Sequence, residues 1–292
     1  MTTGQVLGVL HPGSMGAAVA ACAASTGTRV LWCPAGRSGA SVRRAEQAGL
    51  EPVPVLEELL AQCDVVLSLC PPAAAEDVAA QVAALAFAGV FVEGNAINPE
   101  RMVRIAENVG RNAVVVDGAV IGSPPIGAKR CALYLAGPAD ATTAVEALFT
   151  GTAVSVPVLG DELGKASALK LSYTAYQKAS RVLAALAYGL AEHHGVDQEL
   201  LDVADKRAGS YLVEIDYIAK TAGRAWRWAP ELEEAADALG RVGLPDELLR
   251  AAAATLDLWT DAKDRKDLTA QEAIAMLKKA QRLEGGDTPS NR

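Results

Sequence analysis

The chain has 292 residues, 51% of them hydrophobic and 21% charged, which is typical of a soluble globular protein with a large core. The length exceeds what one core usually holds, so we expect two domains. Because 27 basic and 35 acidic side chains leave a net charge of −8, we expect neither nucleic acid nor an anionic membrane as a partner.

The first 33 residues read as a strand, a loop, a helix and a second strand, which together make one βαβ unit. Apolar runs predict the two strands at residues 5–10 and 29–33, and small apolar residues predict a helix at 14–25. The alternation continues, with strands predicted at 64–69, 90–93, 113–117, 131–136 and 154–158, and helices at 41–48, 57–61, 73–84, 99–109 and 139–149. Strands that are apolar on both faces belong to a sheet covered by helices on both sides. The sequence therefore predicts an α/β fold, with a doubly wound Rossmann domain over residues 1–160.

Strand signals end after Gly160. Residues 162–194 contain no proline and two glycines, so they predict one long helix that stops at Gly195. Shorter helices are predicted at 197–208, 211–221, 230–242, 246–258 and 269–283, with Pro230 in a first turn. The sequence thus predicts an all-α domain over residues 161–284, followed by a disordered tail at 285–292. A long helix cannot easily bury both faces within one chain, so we expect a homodimer formed through the helical domain.

The segment GVLHPGSMG, residues 8–16, follows the first predicted strand and opens the first predicted helix. Dinucleotide-binding loops read G-x-G-x-x-G in this position; here Gly13 and Gly16 fill the second and third places and His11 fills the first. Because proline biases the preceding residue toward extended geometry, we expect a turn in which His11 needs no positive φ. The predicted cofactor contacts, with His11 as a neutral turn residue, are His11, Pro12, Gly13, Ser14 and Met15.

The segment after the second strand normally selects between NAD and NADP. An acidic residue there binds the ribose 2′-hydroxyl, whereas arginine accommodates a 2′-phosphate. No acidic residue occurs between Leu31 and Arg44, while Arg37 and Ser38 lie in this segment. We expect NADP(H) to be preferred over NAD(H), with Arg37 and Ser38 as contacts. The alternative is that Arg37 is only a solvated loop residue.

Five short motifs lie along the chain: PGSMG at 12–16, SLCPP at 68–72, NAINP at 95–99, DGAVIGS at 117–123 and GKASALK at 164–170. Together they resemble the β-hydroxyacid dehydrogenase and 6-phosphogluconate dehydrogenase superfamily. Its members join an N-terminal dinucleotide domain to a helical domain. The LHPG and CPP motifs are closer still to a branch with a phosphogluconate-dehydrogenase-like C-terminal domain.

The resemblance implies an enzyme that transfers a hydride between the nicotinamide of NADP(H) and a small carbonyl or hydroxy substrate. It implies Lys170 as the general acid/base, with Tyr173 as a hydrogen-bonding assistant. Apolar neighbours of Lys170 would limit hydration of its amine, which favours proton exchange; the alternative is a lysine that extends to solvent from a long helix. The implied cofactor contacts are Cys70, Pro71, Pro72 and Asn95, and the predicted substrate contacts are Ser123, Pro124, Ser167 and Thr174.

Two departures from the superfamily pattern keep other functions open. Ile121 stands where the substrate-binding serine is expected, and Tyr173 and Thr174 replace the asparagine that follows the lysine by one turn. These losses favour an imine reductase acting on a C=N substrate, whereas the presence of Lys170 weighs against it. A catalytically silent NADP-binding protein is the third alternative.

The cysteines and the N-terminus bear on the compartment. The five cysteines form no Cys-x-x-Cys pair, and the three histidines create no spacing typical of a metal site. No basic segment followed by an apolar one begins the chain, and no charge-free stretch of about 20 apolar residues occurs. We expect a cytoplasmic protein with free thiols, no bound metal and no membrane-spanning helix.

Overall fold

A computed structural model describes residues 4–206, 209, 211, 214–263, 265 and 267–284 of the chain. It confirms an α/β half followed by a helical half. The first compact unit ends at Tyr176 and the second begins at Gln177. The first turns of the long helix therefore belong to the same compact unit as the sheet. The predicted tail, residues 285–292, lies outside the described residues.

Eight strands of the described chain form one sheet in the order β3-β2-β1-β4-β5-β6-β7-β8. Their bounds are β1 (Val6–Leu10), β2 (Arg29–Trp32), β3 (Glu51–Pro52), β4 (Val65–Ser68), β5 (Val90–Glu93), β6 (Val114–Gly122), β7 (Cys131–Ala136) and β8 (Val154–Ser155). Neighbouring strands run parallel except β6 and β7, which pair antiparallel. Strand β3 was not predicted, and β6 extends five residues beyond the predicted end at 117.

Six helices connect the strands: α1 (Ser14–Ser25), α2 (Gly39–Gln47), α3 (Leu56–Leu60), α4 (Ala75–Ala84), α5 (Pro99–Val109) and α6 (Ala139–Ala147). A 3-10 turn at Pro72–Ala74 precedes α4. The helices that follow the sheet in the described chain are α7 (Lys165–His193), α8 (Asp197–Asp205), α9 (Tyr217–Arg241), α10 (Glu247–Asp257) and α11 (Ala270–Glu284).

The prediction of separate helices at 211–221 and 230–242 is wrong, because α9 is continuous and contains Pro230 in its interior. Proline normally interrupts a helix, since it lacks an N–H group and its ring clashes with the preceding turn. Here Pro230 is exposed, while Ala225 and Ala229 before it and Ala236 after it are buried. Burial of the apolar face on both sides of Pro230 keeps the helix intact.

The sheet separates two apolar clusters, one on each face. On β2, Leu31 belongs to one cluster, while Val30 and Trp32 belong to the other, as expected for side chains that alternate along a strand. Strand β1 has β2 on one side and β4 on the other, so the order of the chain reverses at β1. Ligands of such sheets bind at the carboxyl ends of the strands at this reversal.

Candidate active site

A cleft of about 440 Å³ lies at the carboxyl ends of β1 and β4. It collects residues from three separate segments: the loop at 11–16, hereafter the phosphate loop, the loop after β2, and the turn after β4. Of the predicted cofactor contacts, those that line it are His11, Gly13, Ser14, Met15, Arg37, Ser38, Cys70 and Pro71. Pro12 and Pro72 are adjacent to these residues in sequence, and Asn95 donates a hydrogen bond to Cys70 Sγ, but none of the three is among the described lining residues.

The phosphate loop turns at His11, whose backbone is left-handed with a φ of 66°. The prediction that Pro12 would hold His11 in extended geometry is therefore wrong. The N–H of Gly13 donates to the His11 carbonyl oxygen at 2.7 Å and closes the turn over Pro12. The left-handed backbone of His11 just before it is a conformation that a glycine would adopt without strain. The closed turn outweighs the local bias of the proline.

The N-terminus of α1 faces this cleft without a side-chain cap. Gly13 occupies the N-cap position, and no side chain bonds the first N–H groups. Uncapped N–H groups and the positive end of the helix dipole suit a diphosphate. A Cβ on Gly16 would lie 2.9 Å from the His11 carbonyl oxygen, whereas one on Gly13 would approach nothing closer than 4.0 Å. Glycine at position 16 therefore allows the close approach of the loop backbone to α1, whereas glycine at position 13 leaves open space for a ligand.

Two nitrogens in this region are buried without a hydrogen-bond partner in the described chain: His11 Nδ1 and Arg37 Nε. Burial, and then the nearby charge of Arg37, lower the pKa of His11 to about 4, so its ring is neutral at pH 7. Ser38 caps α2 by accepting a hydrogen bond from the Ser41 N–H at 3.3 Å. Arg44 Nε donates to the Pro12 carbonyl oxygen at 3.3 Å and ties α2 to the phosphate loop.

These features fit a dinucleotide. Unpaired buried nitrogens, an uncapped helix terminus and open space over Gly13 are each satisfied by an anionic ligand with polar atoms. The fit rests on the loop and on Arg37 together.

A second group of polar side chains lies buried at the ends of β4 and β5 and beside them on β6. This strand-end cluster comprises Ser68, Cys70, Glu93, Asn95 and Asp117. The backbone N–H of Asn95 donates to Glu93 Oε1 at 3.1 Å, and its side-chain amide donates to the same oxygen, to Ser68 Oγ at 3.2 Å and to Cys70 Sγ at 3.3 Å. Burial raises the pKa of Glu93 to about 7. Asn95 was predicted as a site residue, but Glu93 was not.

Asp117 fastens the start of α7 to the sheet. Its carboxylate accepts hydrogen bonds from the backbone N–H groups of Gly164 and Ala166 at 2.9 Å and of Ser167 at 3.1 Å, and from Ser167 Oγ at 2.7 Å. Burial raises the pKa of Asp117, and these hydrogen bonds oppose the shift. The motif at 117–123 drew attention to Asp117, but its partner lies 50 residues away.

The predicted role of Ser167 as a substrate contact needs correction. Its side chain is 0% exposed, and its hydroxyl is used by Asp117. Because the group is enclosed at the start of α7, it supports the helix and does not reach a ligand.

Lys170 lies one helical turn after Ser167, and its Nζ donates to the carbonyl oxygen of Val120 on β6 at 2.6 Å. The half-buried lysine therefore folds back against the sheet instead of extending to solvent. Tyr173 is 36% exposed, and Thr174 is half-buried. The predicted substrate contacts Ser123 and Pro124 follow the end of β6, three and four residues after Val120.

The described residues contain neither a metal site nor a membrane-spanning helix. No group of three or more His, Cys, Asp or Glu side chains among them could hold a metal ion. The described helices include none that is long and apolar enough to cross a membrane. All five cysteines are free.

Two protein families match parts of the chain. Residues 6–160 match the NAD binding domain of 6-phosphogluconate dehydrogenase, and residues 191–259 match a domain of unknown function, DUF1932. The second match lies wholly within the helical half.

Three solved structures share the fold at low sequence identity. An imine reductase from a Pseudomonas species is 19% identical, covering 94% of this chain and 99% of its own, with a TM-score of 0.71. A reductive aminase from Aspergillus terreus, in complex with NADPH and ethyl-5-oxohexanoate, is also 19% identical, covering 94% and 99%, with a TM-score of 0.72. The conserved protein MTH1747, described as structurally similar to 3-hydroxyacid dehydrogenases, is 23% identical, covering 88% and 97%, with a TM-score of 0.57.

The match to residues 6–160 covers more than half of the 292 residues and confirms the resemblance found in the sequence motifs. The cleft, the uncapped α1 terminus and the phosphate loop all lie within it. The chain belongs to the family that carries the NAD binding domain of 6-phosphogluconate dehydrogenase, and it is an NAD(P)-dependent dehydrogenase or reductase.

Proposed function

We propose that the protein is an NADP(H)-dependent oxidoreductase that interconverts a small carbonyl compound and its hydroxy form, with Lys170 as the general acid/base. The observation that carries this proposal is the hydrogen bond from Lys170 Nζ to the Val120 carbonyl oxygen. It holds a primary amine beside the end of β6, where the predicted substrate contacts Ser123 and Pro124 follow.

The cofactor would be held in two parts. The N–H groups at the start of α1 bind the diphosphate, and Arg37 with Ser38 binds the 2′-phosphate. The unpaired Nε of Arg37 and the absence of an acidic residue after β2 support NADP(H) over NAD(H). Cys70, Pro71, Pro72 and Asn95 hold the nicotinamide end, where the ring supplies or accepts a hydride.

The remaining step is a proton transfer by the protein. Reduction of a carbonyl leaves a negative charge on its oxygen, which must take up a proton. Lys170 Nζ, which donates to the Val120 carbonyl oxygen, is the proton carrier. The protonated amine gives a proton to the substrate oxygen, and in the reverse direction the neutral amine removes the hydroxyl proton. Tyr173 assists by hydrogen bonding, and Ser123, Pro124 and Thr174 line the substrate.

Reduction of a C=N bond is the second candidate. It is favoured by Ile121 and by Tyr173 and Thr174, which replace side chains expected for binding a hydroxyacid. The imine reductase and the reductive aminase share the fold of this chain. In this alternative the proton goes to the substrate nitrogen.

A titration and a substrate panel separate the candidates. NADPH should bind more tightly than NADH, and tighter binding of NADH would contradict the role of Arg37. Oxidation of NADPH is then followed with ketoacids, semialdehydes and cyclic imines. Turnover of the first two classes supports the carbonyl proposal, turnover of imines alone supports the second candidate, and binding without turnover indicates a silent NADP-binding protein.

Lys170→Ala tests the proton donor, with Lys165→Ala as a matched control. Loss of a general acid costs about 10²–10⁴-fold in turnover, and we expect a loss in this range with unchanged affinity for NADPH. Lys165 is exposed on the same helix and pairs with Glu162, so its variant should keep full activity. Full turnover by Lys170→Ala would refute the assignment.

We also propose that the protein is a homodimer through its helical half. Large apolar side chains are exposed on α7, on α8 and between them, namely Leu183, Tyr188, Val196, Leu201 and Val203. Such exposure favours a partner surface. Light scattering should give about twice the mass of one chain, and a monomeric mass would contradict the proposal.

A further inference from the structure

Glu93 is a buried acid that the proposed chemistry does not use. It is the last residue of β5 and is 0% exposed. Its Oε1 accepts two hydrogen bonds from Asn95, whereas its Oε2 has no partner in the described chain. A buried carboxyl group with an unpaired oxygen is unfavourable for folding.

The effect of Glu93 on Asn95 is to set the direction of its amide. A carboxyl oxygen that accepts from Asn95 must face the amide nitrogen, because the amide oxygen cannot donate. Ser68 Oγ and Cys70 Sγ lie on the same side as Glu93, since both are also within hydrogen-bond distance of that nitrogen. None of the described hydrogen bonds of Asn95 uses its amide oxygen, and that oxygen is not among the buried unpaired atoms, so it keeps contact with solvent.

Glu93 and the neighbouring Asp117 differ in how many hydrogen-bond donors stabilise their charges. Glu93 and Asp117 are partners in the register of β5 and β6. Asp117 has four hydrogen-bond donors from the start of α7 to stabilise its charge, whereas Glu93 has donors only on Oε1. Burial raises the pKa of Glu93 to about 7, and the nearby charge of Asp117 adds to this shift. Oε1 can accept from Asn95 whether Oε2 carries a proton or not.

We propose that Glu93 is a positioning residue for the nicotinamide end of the cofactor: it turns Asn95 so that the amide oxygen, not the amide nitrogen, is presented at the carboxyl edge of the sheet. The ligand chemistry that this oxygen recognises is an N–H donor, which the carboxamide of nicotinamide provides. The inference rests on the proposed function, in which Asn95 contacts the nicotinamide end.

Calorimetric titration of two ligands tests this role. NADPH carries the nicotinamide, whereas adenosine 2′,5′-bisphosphate carries only the adenosine end. Glu93→Met removes the acceptor at similar size, and we expect about tenfold weaker binding of NADPH with binding of the bisphosphate unchanged within twofold. Glu93→Gln keeps an acceptor oxygen and should recover the affinity for NADPH to within about threefold. Glu107→Met, at an exposed position on α5, should change neither affinity.

A double variant tests whether Glu93 acts through Asn95. Asn95→Ala should weaken the binding of NADPH by about the same tenfold. Adding Glu93→Met to this variant should cause no further loss of affinity. Losses that multiply would overturn the inference. So would unchanged NADPH binding by Glu93→Met, or an equal loss of both ligands, which would indicate a structural role only.

Should Glu93→Met fail to fold, Glu93→Asp decides, because its shorter side chain withdraws the acceptor from Asn95. Selective weakening of NADPH supports the inference, and wild-type affinity overturns it. If the wild-type protein binds neither ligand, the proposed function fails first and this inference fails with it. If the wild-type protein binds both ligands, a failed prediction for the Glu93 variants overturns this inference alone and leaves the proposed function standing.

Discussion

The phosphate loop and the strand-end cluster lie at the same edge of one sheet, but they treat their polar groups differently. In the phosphate loop the N–H groups of α1 are uncapped, and His11 Nδ1 is buried without a partner in the described chain. In the strand-end cluster Asn95 and Asp117 are held by several hydrogen bonds each. Glu93 Oε2 is the exception within the cluster.

The comparison indicates a division of labour. Groups left unpaired at the phosphate loop gain their partners from a charged ligand, so that end supplies affinity. Groups paired in advance in the strand-end cluster lose little freedom on binding, so that end supplies orientation. Mutations should therefore affect folding most in the strand-end cluster and ligand binding most in the phosphate loop.

Asp117→Ala should have the largest effect on stability. It leaves three backbone N–H groups at the start of α7 without their acceptor, and each buried donor left unpaired costs about 1–3 kcal/mol. Urea unfolding should show this decrease in the free energy of unfolding. Asp140→Ala is the control, since Asp140 is exposed in the first turn of α6 and should cost less than about 1 kcal/mol. A similar small cost at Asp117 would remove the contrast between the two regions.

Glu93 should make the stability of the protein fall as pH rises. Its pKa is about 7 in the folded protein against an ordinary value of 4.5, so between these values the folded state binds more protons than the unfolded state. The contribution of Glu93 to stability is therefore largest below pH 4.5 and declines up to pH 7, in total by about 3 kcal/mol at about 1.4 kcal/mol per unit.

The measurement is the free energy of unfolding of the wild type and of Glu93→Gln at pH 5 and pH 8. Glutamine does not titrate, so the wild type should lose stability relative to the variant between these two pH values. A difference between the two proteins that does not change with pH would show that Glu93 titrates normally.

Gly13→Ala and Gly16→Ala should separate binding from folding within the phosphate loop. Gly13 has a φ of −70° and open space around a Cβ, so alanine should change stability by less than about 0.5 kcal/mol but weaken NADPH at least about tenfold by filling the ligand's space. At Gly16 the new Cβ meets the His11 carbonyl oxygen at 2.9 Å, which should cost about 1–3 kcal/mol in stability. NADPH titration beside urea unfolding checks both. Wild-type affinity in Gly13→Ala would place the diphosphate elsewhere.

His11→Gly should have the smallest effect, a gain of up to about 1 kcal/mol, because glycine adopts a φ of 66° without strain. Ala86→Gly is the matched control, since Ala86 also has a positive φ, of 51°, but lies in an exposed position away from the cleft. Urea unfolding at pH 8 should show a higher free energy of unfolding for both variants. A lower value for His11→Gly alone would mean that the histidine ring stabilises the loop.

Histidine also adds a pH dependence that the glycine variant lacks. The pKa of His11 is lowered from 6.5 to about 4 in the folded protein, so the unfolded state binds more protons between these values. The wild type should therefore lose stability as pH falls from 6.5 toward 4, in the opposite sense to Glu93. Unfolding of His11→Gly and the wild type at pH 7 and pH 5 measures this difference.

Local patterns in the sequence determined much of the fold and part of the site. Strand β5 and helices α1 and α5 have the predicted bounds, because apolar runs and helical spacing are properties of neighbouring residues. The phosphate loop and Arg37 were found in the same way, since both follow predicted strands. Lys170 came from the resemblance of its motif to a known family.

Only the tertiary structure decided the features that depend on distant residues. The sequence predicts Ser167 as a substrate contact, because nothing local shows that the fold brings Asp117, 50 residues earlier, to its hydroxyl. Glu93 gained its importance from Asn95 and from Asp117 on the adjacent strand. His11 and Pro230 adopt conformations that their local preferences oppose, because closure of the phosphate loop and burial of the α9 face are worth more than those preferences.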